Sequence, residues 1–269
     1  MARLFAFADW RSWAVFRRNA RVYLRNWKTA FLPPAMEPVF YFVAFGLGLA
    51  GYVGALSWND RTISYPTFIA PGLLAYTAFG TPFFEGLYSA YVRMFYQKTW
   101  DGILATQVEL HHLVWGEILW AGARGAMNST AVAAVLGAFH LAGVVELHWP
   151  WLLVLPVVSG LVGCAFAALA LVFTALVPSI DHMNYPAFLI GIPVGLISNT
   201  FFPIESDLAA VRLAMELNPV YHLAETARAL LVTGTVGVAA LKLALSALGM
   251  LVVLTPILMR LMRRRVLGD

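Results

Sequence analysis

The chain has 269 residues, of which 61% are hydrophobic and 12% charged, and its mean hydropathy is +0.75. Soluble domains carry about 25% charge, so this composition excludes an ordinary water-soluble globule and leaves the bilayer as the solvent. The net charge of +4 is topological rather than a nucleic-acid signature: seven of the 18 Lys and Arg fall in the first 28 residues and four more between Arg260 and Arg265, flanking apolar segments.

Residues 9–29 come first. Trp10, Trp13, Phe16, Ala20, Leu24 and Trp27 recur every three or four positions, with arginines between them. That pattern predicts an amphipathic helix lying in the membrane interface. Pro33-Pro34 is expected to break it, so residues 1–32 form an interface unit and residues 33–269 a membrane domain.

An apolar run of ~20 residues crosses the hydrocarbon core as a helix. Six such runs follow: 35–55, with glycines at its end; 67–92; 113–141; 151–177; 185–202, short and interrupted by Pro186 and Pro193; and 238–259. The fold class expected is therefore an all-α polytopic membrane protein with six transmembrane helices. An even number of crossings puts both termini on one side. Both ends are basic, which places them in the cytoplasm, with 57–65 as an outer loop.

Two connecting segments depart from the simple pattern. The inner loop around 96–106, with Tyr96, Thr99, Trp100, Ile103, Leu104 and Thr106, predicts a short amphipathic helix capped by Thr99. Such a helix at the inner face suits docking into a groove of a soluble partner. On the outer side, residues 203–233 read as two short helices broken at Asn218-Pro219. Leu208, Val211 and Met215 stripe the first, and Leu223, Ala227 and Leu230 the second. Backbone of this kind at membrane depth must pack in protein or line a cavity.

Glu85, Glu117 and Arg124 fall within or near the ends of spans, where an ionisable group lines a cavity, pairs between helices or snorkels to the interface. Phe79, Phe83 and Tyr88 add aromatic faces near the same region. Glu109, His111, His112 and Glu117 form the densest cluster of metal-ligand types, but no His-Glu-x-x-His pattern accompanies them, and no metal is expected. No serine or aspartate constellation for catalysis is apparent, and Cys164 reads as a small buried residue. A phosphate-binding GxxxxGK[ST] loop is absent from the sequence, so ATP and Mg, if used, belong to a separate subunit.

Four stretches together resemble the permeases of ABC transporters of the second export type: the basic amphipathic start, EGLYSAYVRMFYQKTWDGILATQ from Glu85, FFPIESDL from Phe201, and LNPVYHLAETAR from Leu217. Gln107, standing where many members have proline, is closest to the nodulation-type lipo-oligosaccharide branch. The resemblance implies an inner-membrane exporter subunit in bacteria, working as a dimer of permeases, each bound to an ATPase through the helix around 96–106. It also implies that residues 203–233 are outer re-entrant helices, with Phe202, Pro203, Asn218, Pro219, His222, Glu225 and Arg228 at an outer gate. The expected cargo is a lipid-linked glycan or lipo-oligosaccharide. A hydrophobic-drug exporter and an ion-coupled carrier are the competing readings.

Overall fold

A computed structural model describes residues 6–204 and 206–268, apart from the side chains of residues 34 and 35. About 80% of the chain is helical. Helix α1 spans Trp10–Arg25. Asp9 caps it, accepting from the Arg11 backbone N–H at 2.9 Å, and that bond holds its carboxyl below the usual carboxylate range. The buried face of α1 is Ser12, Val15, Asn19 and Tyr23, at helical spacing. The tryptophan stripe faces outward instead: Trp10, Trp13 and Trp27 are all exposed. One face is thus committed to protein, and the aromatic face is left for lipid.

The break after α1 falls at Asn26, not at Pro33-Pro34. Asn26 leaves helical geometry, its N–H bonding the Tyr23 carbonyl, while Thr29 and Ala30 donate to its own carbonyl and start a new helix. That helix, α2 (Trp27–Tyr41), runs through the prolines. A proline in a helix strands the carbonyl four residues back. Position 34 strands that of Ala30, and the Arg124 guanidinium donates to it at 3.1 Å. The orphaned acceptor is therefore satisfied from another helix, which lets the run continue.

After a π-helical stretch at Phe42–Leu47 and a short helix α3 (Ala50–Val53), the expected outer loop is a β-hairpin, β1 (Ala55–Trp58) with β2 (Arg61–Ser64). Asn59 and Asp60 turn it with φ of 48° and 59°, the left-handed pair that a two-residue hairpin needs. Ser64 then caps α4 (Tyr65–Phe84), which continues through π-helical turns at Glu85–Ser89 and Val92–Tyr96. The inner helix α5 spans Thr99–Leu104. Thr99 is its first residue rather than its cap; Lys98, at φ 51°, makes the sharp entry.

Helices α6 (Leu110–Leu141) and α7 (Trp151–Leu176) follow. The fifth apolar run is helical in pieces from Asn184, including α8 (Asn184–Pro186) and α9 (Ile192–Leu196). The chain then leaves helical geometry well before residue 202. Helices α10 (Ala209–Leu217) and α11 (Pro219–Arg228) meet at Asn218, which accepts from the Val220 N–H, and α12 (Val238–Leu267) ends the chain.

Among the described residues, three segments are long and apolar enough to cross a membrane: Trp27–Val53, α7 and α12. Their outer faces carry rows of exposed residues at helical spacing, such as Leu153, Val157 and Leu161 on α7 and Leu241, Leu245 and Leu248 on α12. Such faces need lipid or another apolar partner. Inside, α4, α6 and α7 pack with small residues at their crossings. A Cβ on Gly122 would meet the Gly160 carbonyl of α7 at 2.7 Å, and one on Gly125 would meet the Pro82 ring of α4 at 2.6 Å. Close helix approach of this sort replaces the hydrophobic drive that lipid removes.

Candidate functional site

At the end of the bundle that carries α5, four charged side chains converge. Arg93, on the second π-helical turn after α4, donates to Glu85 Oε1 at 2.8 Å and to both oxygens of Glu117, at 3.1 and 2.5 Å. Arg124 pairs with the other oxygen of Glu85. Glu85 and Glu117 are 2% exposed at the side chain, against 12% and 14% for the arginines. A buried ion costs several kcal/mol of desolvation unless its partners are well placed. Here two carboxylates meet two guanidiniums, so the cluster is neutral.

Two indoles complete it. Trp120 Nε1 donates to Glu85 at 3.0 Å, and Trp100 Nε1 to Glu117 at 3.2 Å. The second bond ties α5 to the network. Trp100 is fully buried within its own chain, which corrects its place among the apolar residues expected to face a partner. The surface of α5 is instead Asp101, Gly102, Ala105 and Thr106, with Ile103 and Leu104 half-buried and Tyr96 exposed just before it. Helix α1 closes the cluster: Arg18 reaches the Thr99 hydroxyl at 3.4 Å, and the Tyr23 ring lies 4.9 Å from the Arg124 guanidinium. In the neighbouring run, Glu109 and His112 cap α6, and His112 also meets Asp9 at 3.2 Å.

Beside the network the surface is concave. A polar recess of about 520 Å³ is lined by Glu37, Thr77, Thr81, Glu85, Tyr88 and Arg124. Through Tyr76, Phe84 and Tyr88 it adjoins an aromatic cleft of about 600 Å³ that reaches Phe79, Phe188, Phe201 and Phe202. Of the residues expected to line a pathway, Phe79, Glu85, Tyr88 and Arg124 lie on these concavities. Phe83 is fully buried in the core, and Glu117 lies within the ion-pair network.

A second buried cluster joins the hairpin, α4, the segment after α9 and α11. Arg228 is fully buried. It donates to the carbonyls of Phe68, at 3.0 Å, and Asn199, pairs with Glu225, and stacks over the Phe68 ring at 3.9 Å. Glu225 also accepts from Trp58 of the hairpin and from Asn199, both at 2.8 Å. Asn218 donates to the Val194 carbonyl at 3.0 Å, and His222 Nε2 lies 2.8 Å from the Glu216 carbonyl. Lys242 pairs with Glu216 at 2.8 Å. The chain thus brings together Asn218, Pro219, His222, Glu225 and Arg228, whereas Phe202 and Pro203 lie on the aromatic cleft or near it. Sequence reasoning missed Arg93, Trp58, Asn199 and Glu37.

These features define a polytopic helical membrane protein whose buried glutamates and arginines, among the described residues, fall in two ion-pair clusters, with an open cleft between its helices. The chain belongs to the ABC-2 type transporter family, whose match covers residues 11–232. It is 33% identical over 210 residues to Nodulation protein J of Rhizobium leguminosarum bv. trifolii, covering 78% of this chain and 76% of that protein. Against Nodulation protein J of Rhizobium meliloti (strain 1021) the identity is 31% over 213 residues, covering 79% and 78%. The inner membrane transport permease YadH of Escherichia coli (strain K12) is 23% identical over 122 residues, covering 45% and 46%. No solved structure matches.

Proposed function

We propose that the chain is the transmembrane permease subunit of an ATP-driven exporter, moving an amphipathic cargo, a lipid-linked glycan or lipo-oligosaccharide, out of the cytoplasm. ATP and Mg act on a separate ATPase subunit that docks on α5 and α1. A second copy of the permease completes the route. Six membrane crossings place both termini in the cytoplasm of a bacterial inner membrane, and residues 203–233 gate the outer exit. The observation that carries this reading is continuity: α5 is bonded through Trp100 to the buried network, and Glu85 and Arg124 of that network line the polar recess that adjoins the aromatic cleft. A push on α5 therefore reaches residues that line the recess. The likeness to Nodulation protein J over most of the chain supports the cargo class.

The docking surface can be tested at Gly102, which is exposed and where an added Cβ meets nothing within 4 Å. Gly102→Trp should insert and fold normally but fail to co-purify with the ATPase. Full assembly of that variant would remove α5 from the interface. Topology has its own test in intact cells carrying Cys164→Ala. With Asp60→Cys, at the exposed hairpin tip, an impermeant thiol reagent should label the protein, and with Gly268→Cys it should not. The reverse pattern would invert the orientation.

A further inference from the structure

We propose that Glu37 is the headgroup-recognition residue of the cleft, accepting hydrogen bonds from a cargo headgroup that is neutral or cationic and excluding one that is anionic. The inference rests on the cleft being the cargo route.

Position comes first. Because the helix starts at Trp27 and runs through its prolines, Glu37 lies ten residues along it. That is about 15 Å from the interfacial tryptophan, near half the depth of a hydrocarbon core of roughly 30 Å. A carboxylate at such a depth is costly and is kept where it faces protein or a water-filled cavity. Glu37 is exposed, and it lines the polar recess together with Thr77, Thr81 and Tyr88.

Its neighbours decide what it can bind. The other acid of the recess, Glu85, is saturated by Arg93, Arg124 and Trp120. Among the described residues, no lysine or arginine pairs with Glu37. Tyr41, one turn further on, sets its hydroxyl beside the carboxylate. Glu37 therefore keeps lone pairs for a ligand and, when ionised, leaves the recess with unbalanced negative charge. Next to it, Tyr41, Tyr76 and Phe201 pack edge to face, at 6.1 Å for Tyr41 with Tyr76, and open into the aromatic cleft. An amphiphile fits this layout with its donors on Glu37 and its tail among the rings. Hydroxyl groups and an ammonium both satisfy the acceptor, whereas a phosphate or carboxylate headgroup meets repulsion in a low dielectric.

The test uses the full-length permease in lipid nanodiscs and three tetradecyl probes with a diazirine in the tail: a maltoside, a primary ammonium and a phosphate. Cross-linked peptides containing Tyr41, Tyr76 or Phe188 report occupancy of the cleft. The maltoside and ammonium probes should label these peptides roughly tenfold more than the phosphate, the scale of one hydrogen bond to a charged group. Glu37→Gln should keep maltoside labelling, lower ammonium labelling and raise that of the phosphate. Glu37→Leu should lose the maltoside preference. Since Glu37 is exposed, both variants should elute and melt as the parent does. Unchanged labelling by all three probes in Glu37→Leu would overturn the role of Glu37 while leaving the cleft as a route. Absence of cleft labelling by every probe in the parent protein would overturn the route itself, and this assignment with it.

Discussion

Arg228→Ala should destabilise the protein by roughly 3–5 kcal/mol, the cost of removing one partner from a buried ion pair. The arginine is fully buried, and its loss strands more than Glu225. The carbonyls of Phe68 and Asn199 lose their donor, and the Phe68 ring loses a stacked cation. Glu225 would keep Trp58 and Asn199 as donors, and both of these are neutral. Arg228→Lys should fall between the two, because a single ammonium cannot span acceptors that the planar guanidinium reaches together. Arg61→Ala, on the exposed hairpin strand, is the control and should leave unfolding in detergent unchanged. Equal melting of the Arg228→Ala and Arg61→Ala proteins would mean that the cluster bears no structural load.

Arg93→Ala should be comparably damaging, and its damage should be repairable. Without Arg93, Glu85 retains Arg124, whereas among the described residues Glu117 keeps the Trp100 indole as a donor and Arg18 as a charge beyond ion-pair distance. A nearly dry carboxylate is then poorly compensated. Adding Glu117→Gln removes that charge, so the double variant should recover roughly 1–3 kcal/mol relative to additivity. It should not recover coupling, since α5 would be bonded to a residue no longer held by α4. The readouts are unfolding in detergent for the first statement and permease-stimulated ATP hydrolysis for the second. Strict additivity of the two substitutions would show that Arg93 and Glu117 do not act as a pair.

Much of this architecture was legible because hydrophobic periodicity survives in any context. The apolar runs, the inner helix near 99–104 and the break at Asn218-Pro219 all follow from it. The partners of the buried charges were harder to read. A straight α-helix turns about 100° per residue, which puts Arg93 about 80° around from Glu85. The π-helical turn at Glu85–Ser89 absorbs a residue and returns Arg93 towards the face of Glu85. No sequence period announces such a turn. Pro33-Pro34 misled for a related reason: proline's cost depends on whether the stranded carbonyl finds a donor, and that donor lies at position 124. Trp58 and Asn199 sit in segments without periodicity, so only the tertiary fold brings them to Glu225. Trp100 looked like a surface residue because its loop is short and mixed, yet its ring is the buried anchor of α5.

The sign pattern of the inner cluster bears on how the chain enters the bilayer. Glu85 and Arg93 belong to one helical run, Glu117 and Arg124 to the next. Each run brings one acid and one base, and the first two are already bonded to each other. The earlier run can therefore sit in lipid with its charges paired before the later one is synthesised. When α6 arrives, its own opposite charges meet partners already in place, Glu117 joining Arg93 and Arg124 joining Glu85. Neither stage requires hydrocarbon to accept a net charge, so the order of synthesis and the order of pairing coincide.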